Sequence, residues 1–201
     1  NMPNNKLNIF GNIDTVNINE WKKINGEKQS NINYLQYINT ININVSKLIS
    51  DKIILDNFHA KGFSSDNAFT FNELTSSSDN FNIKASGDVE NNNVSSFKIY
   101  LKSNNLENLL NYWNFTHSLR DSSLDSNFDI TWKGNLFDFS LNKVYGNFST
   151  NMKDGRIKKV GNRVTRIFGL FNIDLLAKRL SLDFDDVTKN GFYFNSLDGD
   201  F

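Results

Sequence analysis

The sequence predicts a mainly β fold: an extended, mostly antiparallel sheet, curved like a groove, with two or three short helices packed on it. Three observations predict it. Apolar residues recur at every second position, short turn signals separate the alternating runs, and the runs of 124–152 lie too close together for crossover helices. Alternation places successive side chains on opposite faces of a strand, so apolar residues two apart share one face and the intervening Asn, Ser, Asp and Lys share the other.

The runs follow in order. Leu7 and Ile9 open the pattern, and Asn19-Glu20-Trp21-Lys22-Lys23-Ile24 predicts a short helical turn. Ile41, Ile43 and Val45, then Phe69 and Phe71, then Phe81, Ile83 and Ala85, then Phe97, Ile99 and Leu101 read as strands. Residues 104–115 change period: Leu106, Leu109, Leu110 and Trp113 fall at helical spacing behind Asn104, with Glu107 three residues on, an N-terminal cap pattern. Strand alternation returns in Leu124, Phe128, Ile130 and Trp132, then Phe137, Phe139 and Leu141, then Val144, Phe148 and Met152. A second helix is predicted over 161–177 from the stripe Val164, Ile167, Phe168 and Phe171, and Leu180, Leu182 and Phe184 read as a further strand. Ser86-Gly87-Asp88, Lys133-Gly134-Asn135 and Lys153-Asp154-Gly155 read as hairpin turns, making the topology a meander without parallel βαβ units. The chain opens inside what reads as a strand and stops just after a turn-like Leu197-Asp198-Gly199, the look of a piece of a longer chain.

Composition narrows function. Lys plus Arg equal Asp plus Glu at 22 each, which leaves no global field to recruit a polyanion, so nucleic acid is not an expected partner. The lack of cysteine removes disulfides, thiolate nucleophiles and cysteine-ligated zinc. No run approaches the roughly 18–20 apolar residues that a membrane-spanning helix needs. Asparagine is abundant between apolar residues and reads as filler on the wet face.

No catalytic pattern stands out. His59 and His117 are the two histidines, and the nucleophile-elbow pattern G-x-S-x-G is absent, so a Ser-His-Asp triad has no specific support. Asp183, Asp185 and Asp186, with Asp198 and Asp200, invite a calcium reading. Counted from Asp183, however, Thr188 and Phe194 occupy the positions where a calcium loop needs Gly and Glu. Gly155, Gly161 and Gly169 are too far apart for a phosphate loop. The expectation is no enzyme, no metal and no cofactor. Lys153, Arg156, Lys158, Lys159, Arg163 and Arg166 form a basic stretch, read chiefly as the solvated face of a helix that packs on the sheet, with a membrane-surface helix as the alternative.

One block resembles a known family. Trp132-Lys133-Gly134, Phe137-Asp138-Phe139-Ser140-Leu141, Tyr145-Gly146-Asn147-Phe148 and Lys153-Asp154-Gly155-Arg156 are similar to the C-terminal region of the YhdP family, within the AsmA-like superfamily. Arg166-Ile167-Phe168-Gly169-Leu170-Phe171, Lys178 to Asp186 and Gly191-Phe192-Tyr193-Phe194-Asn195 continue its order, with Asn195 where the family usually has aspartate. The resemblance is dense from about Leu101 onward and looser before it. It divides the chain into a sheet segment, 1–103, and an AsmA-like C-terminal type segment, 104–201. It also implies a periplasmic protein tethered to the inner membrane of a Gram-negative bacterium through a region outside this segment, reaching toward the outer membrane. Its implied partner is phospholipid.

The residues supply a physical reason for such a role. A continuous apolar face shelters acyl chains at about 0.8 kcal/mol per buried CH₂. The candidate groove residues are Phe81, Ile83, Phe97, Ile99, Phe128, Ile130, Trp132, Phe137, Phe139 and Phe148. The alternative is a structural or outer-membrane-assembly protein of the envelope whose apolar face is a closed core.

Overall fold

The computed structural model describes residues 6–20, 34–115, 119–139, 143–157 and 192–200. Ten strands form one open sheet: β1 (Leu7–Asn17), β2 (Ile38–Ser50), β3 (Ile53–Ser64), β4 (Ala68–Ser77), β5 (Asn82–Glu90), β6 (Val94–Ser103), β7 (Leu119–Arg120), β8 (Ser123–Lys133), β9 (Tyr145–Ile157) and β10 (Phe192–Asp200). Their spatial order is β1-β2-β3-β4-β5-β6-β8-β9-β10, and the short β7 pairs with β9. From β2 to β10 every pairing is antiparallel, as alternation and short connections predict.

The first connection departs from the meander. β1 and β2 are parallel, Ile9 opposite Ile41 and Ile13 opposite Val45. Parallel neighbours need a dozen or more residues to bring the chain back to the same end, and residues 18–37 supply that length. Within them the backbone is helical at 18–20 and forms a 3-10 turn at Tyr34–Tyr37. Alternation reports faces but not strand direction, so it could not distinguish this pair from a hairpin.

Three expected turns are strand instead. Ser86-Gly87-Asp88 lies inside β5, Lys153-Asp154-Gly155 inside β9, and Leu197-Asp198-Gly199 inside β10. Gly87 is needed for space rather than for a turn: a methyl group there would lie 2.6 Å from Cγ and Cδ1 of Phe97 and 2.2 Å from the Ser96 carbonyl oxygen. At Asp154 the strand absorbs a left-handed residue, φ 54°, a conformation that Asp tolerates better than most. Lys133-Gly134-Asn135 does end β8, with Gly134 at φ 128°.

The predicted helix over 104–115 is α1, Leu106–Tyr112, and its N-cap is Asn105 rather than Asn104. The Asn105 side chain accepts a 3.0 Å hydrogen bond from the Asn108 amide, satisfying one of the orphan donors of the first turn. Leu106, Leu109 and the following Trp113 point into the sheet. Phe137 and Phe139 are not in a strand: Leu136–Asp138 is a 3-10 turn, and Phe139 follows it with nearly half its surface exposed. The Gly134 bend redirects the chain, so the apparent period of two there is incidental. The predicted helix over 161–177 and strand at Leu180–Phe184 lie outside the described residues.

Two apolar clusters pack on one face of the sheet, toward opposite ends of the strands. In one, α1 lays Leu106, Leu109 and Trp113 against Phe81, Leu119, Leu124 and Met152. In the other, Ile41, Ala60, Phe69, Phe71, Val89, Phe97 and Trp132 are closed over, with Leu35 and Leu136 from the two 3-10 turns packed against them.

Candidate functional site

Strand register builds the site. Gly11, Ile43, Ala60, Leu74, Ala85, Ile99, Phe128 and Phe148 are successive cross-strand partners from β1 to β9. Each member of this row is apolar or glycine, and it crosses eight strands at right angles to the chain. Seven spacings of about 4.8 Å give it a length of roughly 33 Å. Leu74 joins the row only because β4 carries a bulge: Phe71 and Leu74 face the consecutive same-face positions Gly87 and Ala85, so Asn72 and Glu73 stand against Ser86 alone and one extra residue is absorbed there.

The neighbouring rows are closed in part. On one side Ile9, Ile41, Gly62, Phe71, Gly87, Phe97, Ile130 and Gly146 are partners in turn. Phe71 and Phe97 are buried in this row, with glycines opposite them leaving room for rings. On the other side Ile83, Leu101, Ser126 and Thr150 are partners. Ser126 and Thr150 are buried and satisfy each other through a 2.6 Å hydroxyl hydrogen bond, so neither imposes an unpaired polar group on the apolar face.

Between these rows Ile43, Leu74, Ala85, Ile99, Phe128 and Phe148 remain half-buried. Phe128 and Phe148 stack with ring centroids 6.0 Å apart. A concave volume of about 1010 Å³ lies at this level of the sheet, lined by Leu74, Ala85, Ile99, Phe128 and Phe148 with their strand neighbours. The apolar row offers contact area without directional anchors.

The sequence candidates divide by depth. Phe81, Phe97 and Trp132 are closed inside the clusters, Trp132 stacked on Phe97 at 5.5 Å and donating its indole hydrogen to the Asn135 carbonyl. Ile83, Ile99, Phe128, Ile130 and Phe148 are half-buried on the apolar face, and Ile99, Phe128 and Phe148 meet in the central row. Phe139 stands edge-on to Trp132, 5.2 Å away, at the margin, and Phe137 belongs to the 3-10 turn. Ile43, Ala60 and Leu74 were not among the candidates. Ile43 was visible in its alternating run, whereas Leu74 is out of phase with Phe69 and Phe71, the one sequence sign of the bulge.

The opposite face is polar and cross-linked between strands. Lys98 pairs with Asp129 at 2.5 Å, the Tyr100 hydroxyl donates to Asp125 at 2.9 Å, and Thr70 donates to Asp88 at 2.6 Å. The hydrogen bond to Asp125 raises the Tyr100 pKa above its ordinary value. His59 Nδ1 lies 2.8 Å from Asn44 Oδ1, and the Asn44 amide donates to Asn12. His59 thus sits in a ladder of amides on the polar face. At the α1 end, the Tyr112 hydroxyl donates to Asp56 at 2.6 Å and the Trp113 indole donates to the Ile54 carbonyl at 2.8 Å. Burial first, then the bond to Asp56, pushes the Tyr112 pKa up to about 12.

Among the described residues, no helix is long and apolar enough to cross a membrane. A family model described as YhdP protein matches residues 1–201. No curated protein and no solved structure matches the chain.

Proposed function

Because the chain belongs to the YhdP family of bacterial envelope proteins, whose membership indicates a lipid-transport-related role, we propose that this segment shelters phospholipid acyl chains along its central apolar row. The row carries the reading. It runs without a polar interruption from Gly11 to Phe148 and leaves most of its side chains half-buried. Acyl chains gain from each CH₂ removed from water, and many similar weak contacts let a chain move along the row without falling into one deep site. Headgroups remain in water at the rim. The lipid passes through the periplasm between a protein tethered in the inner membrane and the outer membrane.

A structural role in the envelope is the second reading, favoured by the two closed clusters in which Leu109 and Val89 have no exposed surface. Photo-crosslinking in the full-length protein separates the two. A crosslinking residue at Ile99 or Ile130 traps phospholipid if acyl chains occupy this face, whereas one at Lys98 or Asp129, adjacent in sequence but on the opposite face, does not. Equal trapping from both faces removes the groove reading. Ile130→Asp places an unpaired charge beside the row at a cost of several kcal/mol. Protein abundance and protease resistance, measured alongside transport, separate a blocked path from an unfolded sheet.

A further inference from the structure

Arg120 of β7 and Arg156 of β9 are direct cross-strand partners, and Tyr193 of β10 is the partner of Arg156 on the other side. Directly opposite side chains of an antiparallel pair have Cβ atoms about 5 Å apart, so two guanidinium groups share one position of the ladder. Like charges so placed repel unless negative charge is supplied. Glu107 of α1 supplies one charge: its Oε1 accepts from Arg120 Nη1, and its Oε2 accepts from the Asp121 amide. Asp121 and Asp154 are exposed, and neither forms an ion pair among the described residues. Among the described residues the pair therefore keeps one uncompensated positive charge.

Each arginine has one donor engaged: Arg120 Nη1 on Glu107, and Arg156 Nη1, which donates to the Tyr193 hydroxyl at 2.7 Å with its guanidinium 5.2 Å from that ring's centroid. Nε of both arginines is closed off from the surface, so a ligand would meet the outer edges of the two guanidinium groups. A phenol that accepts one hydrogen bond retains its own hydrogen to donate. The remaining guanidinium hydrogens and a phenolic hydrogen, with net positive charge and the nearest carboxylate already engaged, match the acceptors of a tetrahedral oxyanion.

We propose that Arg120, Arg156 and Tyr193 bind a phosphate group, carried either by a lipid headgroup or by free inorganic phosphate. The site is distinct from the apolar row and requires nothing of it. Isothermal titration of the full-length protein with inorganic phosphate, and separately with the water-soluble lipid dihexanoyl phosphatidylglycerol, at constant ionic strength tests it. Saturable binding is expected, weakened about tenfold or more by Arg120→Gln or Arg156→Gln, the loss of a hydrogen-bonded charge. Tyr193→Phe, at an exposed position, preserves the fold and weakens binding several-fold. Binding of inorganic phosphate identifies a free-anion site, and binding of the lipid alone identifies the headgroup as the source. Three results would overturn the proposal: no saturable binding of either ligand, equal binding by the folded Gln variants, or full affinity in Arg156→Lys, which keeps the charge and loses the fork.

Discussion

Gly87→Ala tests whether the closed row beside the central one depends on glycine for its packing. The added methyl group meets the Ser96 carbonyl oxygen at 2.2 Å and the Phe97 ring at 2.6 Å. The ring can tilt, but the carbonyl is held by the β5–β6 ladder, in which Gly87 faces Phe97 and Asp88 faces Ser96. Overpacking a filled site costs about 1–3 kcal/mol, and a backbone clash this short puts the cost at the upper end. Replacing glycine in a strand would otherwise gain about 0.5–1 kcal/mol from reduced chain entropy. The balance is a net loss of about 2 kcal/mol. With a urea m-value of about 2 kcal/mol/M, the unfolding midpoint falls by roughly 1 M. Tryptophan fluorescence follows the transition at the site itself, because Trp132 is stacked on Phe97. Adding Phe97→Leu to Gly87→Ala recovers the share of the clash due to the ring and leaves the backbone share. An unchanged or raised midpoint in Gly87→Ala would refute the argument.

Leu109→Ala empties the centre of the α1 cluster, where Leu109 has no exposed surface. It lowers stability by about 3–5 kcal/mol in urea unfolding, the range for leucine deletions that leave a cavity. Tyr112 has a folded-state pKa raised to about 12 from 10.0, so its contribution is complete below pH 10 and is lost as pH rises through about 12. Tyr112→Phe therefore costs about 1 kcal/mol at neutral pH and flattens the alkaline limb of a stability–pH profile measured from pH 8 to 12. Lys98→Ala changes stability by less than about 0.5 kcal/mol, because the Lys98–Asp129 pair is exposed on both partners and screened by water. A larger effect would show that the polar face contributes more than cross-strand ladders in water do.

The sheet was legible because it is one-sided. Ile41, Val45, Phe69, Phe71 and Phe97 alternate with polar residues, and the structure buries all five. Three kinds of feature were not legible. Strand direction leaves no mark in alternation, hence the parallel β1–β2 pair. A bulge shifts parity, hence Leu74. Glycine in a strand looks like glycine in a turn unless the ring above it is known, and the ring over Gly87 comes from Phe97, ten residues away. The candidate residues were legible as a face but not as a depth. Phe97 and Ile99 have the same phase on the same strand, yet Phe97 is closed over and Ile99 is half-buried. What separates them is the cluster around Trp132 and the 3-10 turns, contacts distant in sequence. The phosphate site was partly visible: Arg156 belongs to a basic stretch, but nothing local announces that β7 brings Arg120 opposite it.

The parallel β1–β2 pairing has a consequence in time. From β2 to β6 each strand meets the one before it through a short hairpin, so loop closure is cheap and this centre can assemble early. β1 can pair only after residues 18–37 have brought the chain back to the same end, and among the described residues it pairs with β2 alone, with Leu7 and Phe10 exposed. β10 pairs with β9 across the longer interval between Ile157 and Phe192. These two pairings therefore form after the hairpins of the centre. Amide hydrogens of β1 exchange with solvent well before those of β4 and β5, a gradient running from the middle of the sheet outward.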